Sequence, residues 1–428
     1  MYNNTIREVL VLKIVALSKE EFDDFAYNHK YSTYYQTSSY GDVSKYDGLN
    51  TFYIGFVEDG NLVGATLFLY KTIYLYYKYA YAPRGFLIDY TDRKLVKNVT
   101  KGLINLLRKQ HYAFIKIDPP IICSERDRNG NIIYFSNTVN GILNYLQETG
   151  YRHQGFNKYF ENYKPRFIAF ANLQNDLKTI YAKIDNEAKK IIEEATNAGV
   201  EIVQDKDGNI DELYKFITIK NKRRKKRYYR GMYNNFSINN KMDIFFINVN
   251  TDKYLNNMKY MYDKESINNE EYANLIQDTS IAAREKQTII NNKMESDKRL
   301  NFYKNELIYA TKLSKEYPDF ITIGAAFTIK HNKGVELIID SYLEEYLKFN
   351  PRYVLLWELI KKYKQEGFMY FNLNAVVGEF TKENLGKFNT LNNIKLKFNA
   401  TVMEYIGEFD LVINDRIYTK FKEKIEKK

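Results

Sequence analysis

A run of hairpin, helix and strand occurs twice in this chain, and that recurrence limits the possible folds more than any other feature. After Asn50, TFYIGFVEDGNLVGATLFLYK reads as two strands around a turn at Asp59, Gly60 and Asn61, because β-rich runs flank residues that tolerate positive φ. Leu95, Val96, Val99, Leu103, Leu106 and Leu107, three to four residues apart, then predict a helix, and YAFIKIDPP a strand. Later, DFITIGAAFTIKHNKGVELIIDS repeats the hairpin, with strands over 320–329 and 335–340, followed by the helix PRYVLLWELIKKYKQ and the strand GFMYFNLNA. The reading is an α/β chain of two tandem units of one fold. The first unit is expected over 1–164 and the second over 165–249 plus 319–428. Residues 250–318 between them contain no glycine, are densely charged, and place Leu300, Tyr303, Leu307 and Ala310 at helical intervals. They predict an antiparallel helical-hairpin (coiled-coil) arm inserted in the second unit, serving either as a packing and dimerisation element or as a ligand contact.

The 428 residues are 45% hydrophobic and 16% aromatic, enough for sizeable cores and incompatible with global disorder or a disulfide scaffold. One cysteine, Cys123, excludes an internal disulfide and a thiolate metal cluster, and His29, His111, His153 and His331 are not spaced as ligands. A reducing compartment and no metal are therefore expected. The N-terminal MYNNTIREVLVLKIVAL is broken by Arg7 and Lys13 and does not read as a signal peptide, and no run reaches the roughly 18 apolar residues that cross a bilayer. The expected location is cytoplasmic, with any membrane contact peripheral. Lys and Arg number 64 against 53 Asp and Glu, a net charge of +11 that favours polyanions: nucleic acid, nucleotide phosphates or anionic lipid. The same excess fits the Lys-rich, Asn-rich composition of an AT-rich genome.

Several separated motifs carry a family resemblance. YAPRGFLIDY (81–90), IKIDPP (115–120), YRHQGFNKYFENYKPRFIAFANL, EEYLKFNPRYVLLWELIKKYKQEGFMYFNLNAVVGEF and IKLKFNATVMEYIGEFD (394–410) resemble, in order, segments of the FemXAB family of aminoacyl-tRNA-dependent transferases that build peptidoglycan cross-bridges. Together they span nearly the whole chain. The resemblance implies two GNAT-like domains with a helical arm, and transfer of an amino acid from aminoacyl-tRNA to an amine of a peptidoglycan precursor, lipid II or UDP-MurNAc-pentapeptide, without a cofactor. A tandem N-acyltransferase using acyl-CoA is the rival enzyme reading, and neither copy shows the [RQ]xxGx[GA] loop that would cradle its pyrophosphate. A catalytically silent tRNA- or precursor-binding relative is the other alternative. The chain departs from the family at Phe86, Asn172, Lys189-Lys190 and Ile394, where the family carries proline, an acidic residue, an arginine pair and phenylalanine.

Transfer from an activated ester to an amine needs alignment, a proton acceptor and stabilisation of an oxyanion, but no enzyme nucleophile. Asp118, at the end of an apolar strand, matches the family position proposed to assist the attacking amine; as a bland alternative it terminates the strand with an Asp-Pro turn. Lys395 matches the family's lysine and is expected to stabilise charge on the ester carbonyl; as a bland alternative it is a solvated lysine on an amphipathic strand, whose alternating face it would share with Asn393 and Lys397. For the precursor diphosphate the resemblance implies Arg224 with Tyr228 one helical turn later in the basic run KNKRRKKRYYR, with Arg223 as the one-residue alternative, and Lys45 after YYQTSSYGDVS, where Tyr40 replaces the family's tryptophan; the bland alternative for the basic run is a solvated helix face or a tRNA-backbone patch. Arg84 either lines the same cleft or forms a structural ion pair.

Overall fold

Two mixed sheets carry the chain, and the computed structural model describes residues 12–220, 224–381 and 386–426. Residues 1–11 of the N-terminal stretch 1–17, and Arg223, lie outside the described residues. The first sheet runs β1 (Lys13–Ala16), β2 (Asn50–Glu58), β3 (Asn61–Tyr74), β4 (Tyr77–Ala82), β5 (Tyr112–Ile117), β16 (Phe409–Val412) and β8 (Tyr151–His153). The second runs β10 (Val200–Asp205), β11 (Met242–Asn250), β12 (Phe320–His331), β13 (Gly334–Tyr342), β14 (Tyr370–Ala375), β9 (Phe167–Asn172), β15 (Thr401–Tyr405), β6 (Ile122–Arg126) and β7 (Ile132–Phe135).

Each sheet contains three antiparallel strands, a crossover helix and a parallel strand: β2 to β4, the helix Arg93–Lys109 and β5, then β11 to β13, the helix Pro351–Gln365 and β14. The first helix forms where the leucine spacing predicts it. Asp92 caps it by accepting from Leu95 N–H at 2.9 Å, and Leu95, Val96, Val99, Leu103 and Leu107 are buried against the sheet.

The two hairpins that look alike in the sequence are not equivalent. The turn at Asp59–Gly60 joins β2 to β3, whereas the turn after His331 joins β12 to β13, the counterparts of β3 and β4. The reason is the arm. Its helices, Thr251–Gln277 and Ala283–Glu316, are inserted between β11 and β12, where the first unit has its β2–β3 turn, so the second unit's first hairpin is split in the sequence. The arm helices are joined by Asn269 to Ser296 at 3.0 Å and Arg299 to Glu265 at 2.9 Å. Two segments also cross the boundary expected at residue 164: β16 sits between β5 and β8 of the first sheet, and β6 with β7 closes the edge of the second.

Besides the core under each sheet, a third apolar cluster joins the units, with Tyr34, Tyr40 and Leu67 from the first packed on Leu213, Tyr228, Met232 and Phe327 from the second. This seam fixes the first unit's residue 30–47 segment against the second sheet and thereby shapes the cleft described next.

Candidate functional site

The strand β5 is buried throughout and delivers Asp118, itself only 2% exposed, to the seam between the units. Arg84 meets it from the loop after β4, in the left-handed region at φ 52°. The Arg84 backbone N–H donates to Asp118 Oδ1 at 2.7 Å, while Nη1 lies 3.6 Å from Oδ2 and Nη2 donates to the Pro165 carbonyl at 2.7 Å. The guanidinium also sits 4.7 Å from the Tyr405 ring centroid. Arg84 thus makes the ion pair and lines the cleft at once. Burial pushes the Asp118 carboxyl above the ordinary carboxylate range, and the Arg84 charge works against that rise.

Arg84 borders a cavity of ≈ 280 Å³ whose walls also include Tyr35 of the first unit, Pro165 of the crossover, and Glu336, Asn372 and Tyr405 of the second, with Asp118 behind the arginine. Two side chains that sequence reasoning missed stand nearby, Glu336 in the cavity wall and Lys164 next to the lining residue Pro165. Lys164 Nζ lies 3.7 Å from the Tyr35 ring centroid and donates to Tyr40 Oη at 3.5 Å. Burial pushes its ammonium down to about 7; Asp118 opposes the fall, and Arg224 and Arg84 add to it. An amine titrating there can gain or lose a proton at neutral pH. Glu336 accepts from Tyr35 Oη at 3.2 Å, and burial raises its carboxyl pKa against the pull of Arg84 and Lys164. In GVELIID, Glu336 alternates with buried Val335 and Leu337 and so reads as a solvent-facing strand position; the residue 30–36 loop of the other unit covers it. Nothing in the sequence marks Lys164 beyond its place in the crossover YKPR.

Tyr40 continues the polar chain toward the basic run. The charges of Arg224, Asp47 and Asp118 all act on its phenol, whose pKa burial pushes up to about 12. Arg224 stacks 4.0 Å from the Tyr228 ring centroid and donates from Nε to Asp47 Oδ2 at 3.0 Å. The expected pair is therefore assembled, but not as two residues of one helix: the helix is Lys226–Phe236, and Arg224 precedes its cap. Lys45 is on the first-unit turn that carries Asp47; its side chain is 53% exposed and bound to Asp42 Oδ1 at 2.7 Å. It reaches neither Asp118 nor the cavity lining.

Lys395 requires a correction. It lies not on a strand but in the last turn of the helix Asn389–Leu396, buried, and Nζ donates to the Ala375 carbonyl at 2.6 Å. It lines a second cavity of ≈ 170 Å³ with Asp340, Arg352 and Ala375, distinct from the one bordered by Arg84 and Glu336. The β-like alternation of IKLKFN misled because Lys395 and Lys397 are both polar, although one is buried and the other pairs with Glu187. Asn374 lines both cavities. β13 and β14 pair only from Gly334–Glu336 to Tyr370–Asn372 and then splay, whereas β4 and β5 stay paired from Lys78 to Ala82. Asn374, at φ 71°, bridges the opening: its Nδ2 donates to the Leu337 and Ile338 carbonyls at 2.8 and 3.2 Å.

Lys189 and Lys190 stand away from all of this. The first donates to the Ala182 carbonyl, and the second is an exposed partner of Glu194. Cys123 is buried, and that burial raises its thiol to about 11, so it is no thiolate nucleophile at neutral pH.

The comparisons agree with this architecture. The chain is 23% identical over 422 residues to aminoacyltransferase FemA of Staphylococcus epidermidis, covering 96% of this chain and 98% of that one. To aminoacyltransferase FemA of Staphylococcus aureus it is 22% identical over 418 residues, with 96% and 97% covered. The crystal structure of FemX superposes with a TM-score of 0.70 at 17% identity, over 95% of this chain and 99% of that one, which establishes the shared fold. The FemAB family model matches residues 17–427. This chain belongs to the FemAB family.

Proposed function

We propose that this protein transfers an amino acid from aminoacyl-tRNA to an amine of a peptidoglycan precursor stem peptide or bridge, the step that builds interpeptide bridges. Family membership supports the reaction class, and one observation supports this site for it: where the two units pack, Arg84 pairs with Asp118, Lys164 donates to Tyr40, and the charges of Asp118 and Arg224 act on both Lys164 and Tyr40. The attacking amine forms the new C–N bond while the C–O bond to the tRNA ribose breaks, so one proton must leave the amine and one must reach the departing hydroxyl. Asp118, a buried carboxylate, and Lys164, an amine titrating near neutrality, are the groups suited to the first transfer. Arg224 on its tyrosine platform suits the precursor diphosphate, with Lys45 on the adjoining turn. Lys395 stands at the far side of the β13–β14 opening, which suits an ammonium stabilising the ester oxyanion if the donor enters from that side.

The donor, the acceptor and a cytoplasmic site of action at the inner face of the membrane are parts of this reading. The test is a transfer assay with radiolabelled aminoacyl-tRNAs and both nucleotide-linked and lipid-linked precursor, run with Asp118→Asn and Lys395→Ala. Label on the precursor, reduced in both variants, is the expected result. Consumption of acyl-CoA with no label transferred from any tRNA would refute the donor, and tight precursor binding with no turnover would identify a silent relative.

A further inference from the structure

Among the described residues β7 is the outermost strand of the second sheet, paired on one side only, with β6. Its four residues are all large, apolar and exposed: Ile132 by 53%, Ile133 by 59%, Tyr134 by 49% and Phe135 by 56%. Successive residues of a strand point to opposite faces, so both faces of β7 are bare. In water this is costly, and an edge strand of this kind is normally blunted with charge. More apolar surface lies beside it. Phe380 packs on the β6–β7 turn at Gly130, where the φ of 87° and the lack of a Cβ admit the ring. The backbone of the same segment meets residues 155–163 through Gly378 N–H donating to the Lys158 carbonyl at 2.6 Å. Phe156 and Phe160 of that stretch are 56% and 43% exposed.

We propose that the β6–β7 hairpin and the neighbouring Phe156–Phe160 stretch form a docking surface for an anionic lipid bilayer. Apolar side chains are bare on both faces of β7, and a fluid headgroup boundary can surround both while still hydrating the unpaired backbone groups of the edge. Ile and aromatic side chains are suited to the headgroup boundary, and the net charge of +11 draws the whole chain toward anionic headgroups. Near the turn, Arg128 and Lys183 are exposed, while Lys158 is paired with Glu379 at 3.3 Å. Among the described residues no helix is long and apolar enough to cross a membrane, so contact of this kind is superficial. Ile122, the first residue of β6, lines the cavity bordered by Arg84 and Glu336, so the docked hairpin would hold that cavity beside the bilayer, where a lipid-linked acceptor resides. This placement deepens the proposed reading; the surface itself can be tested without it.

The test is flotation of the full chain with vesicles of phosphatidylglycerol and phosphatidylethanolamine, and with vesicles of phosphatidylcholine alone, in the absence of tRNA and precursor. Wild type is expected to float with the anionic vesicles and more weakly with the neutral ones. Ile133→Glu/Phe135→Glu, at two exposed positions, is expected to bind anionic vesicles at least roughly tenfold more weakly, with unchanged circular dichroism and unchanged transfer to nucleotide-linked precursor. A milder variant, Phe135→Trp, should show a blue-shifted emission on adding vesicles, set against the single native Trp357. Failure of wild type to bind either vesicle, or equal binding by the double variant, would overturn the proposal. So would light scattering that finds a wild-type dimer which the double variant converts to monomer, since a second copy would then occupy the edge. A transfer assay that fails while vesicle binding persists refutes the enzymatic reading alone.

Discussion

Replacing Lys164 with methionine probes the seam most directly, because it keeps the aliphatic bulk and removes the proton. In the folded chain this ammonium is pushed down to about 7, against an ordinary value of 10.5 in the unfolded one. Between those values the unfolded state holds the proton and the folded state has released it, so the unfolded state binds more protons and wild-type stability rises with pH. Each pH step is worth about 1.4 kcal/mol when the difference is a full proton. Half-titration at the lower end trims this to about 2 kcal/mol between pH 7 and 9. Below pH 7 the buried charge destabilises the fold fully; above the ordinary lysine value it has no effect. Lys164→Met should therefore be more stable than wild type at pH 7, and the gap should close by about 2 kcal/mol by pH 9. Urea unfolding of both proteins across that range provides the measurement, and titrating groups not coupled to Lys164 cancel in the difference. Parallel curves would refute the argument, because they would mean that the ammonium is as well solvated in the fold as outside it. If the neutral amine also accepts the substrate proton, the wild-type pH–rate profile should rise through about 7, and Lys164→Met should lose that limb.

Asp118→Asn keeps an acceptor for the Arg84 N–H but strands the buried guanidinium, and should cost about 3 kcal/mol in chemical denaturation along with most of the transfer rate. Arg224→Lys retains the charge but loses the Tyr228 stack and the planar fork; in steady-state kinetics KM for the precursor should rise about tenfold with kcat little changed. Asn374→Gly keeps the left-handed backbone and removes both bridges across the β13–β14 opening, which should lower stability by about 1 to 2 kcal/mol in urea titration. An effect on kcat larger than that loss of stability predicts would point to a passage between the two cavities through this opening.

Much of the fold is written locally. The spacing of Leu95 to Leu107, the Asp59–Gly60 turn and the glycine-free stretch from 250 to 318 specify a helix, a hairpin and a helical arm, because periodicity and turn chemistry act over a few residues. Asp118 and the Arg224–Tyr228 pair were named from motifs, which could not show that the charges of Asp118 and Arg224 act on one phenol, that of Tyr40. Lys164 and Glu336 were not legible: each is an ordinary polar residue in its own segment, and only the packing of one unit on the other desolvates it. Local alternation put Lys395 on a strand, and the helix that buries it is stabilised by contacts far away in sequence, including Asn392 with the Val377 carbonyl. Strand exchange was equally invisible, since the sequence of β16 is that of any short buried strand and its place between β5 and β8 is settled by which sheet edge lies within reach. Composition and period thus determined the elements and the family motifs; burial and charge at the site were decided by tertiary structure, because desolvation depends on what closes over a side chain.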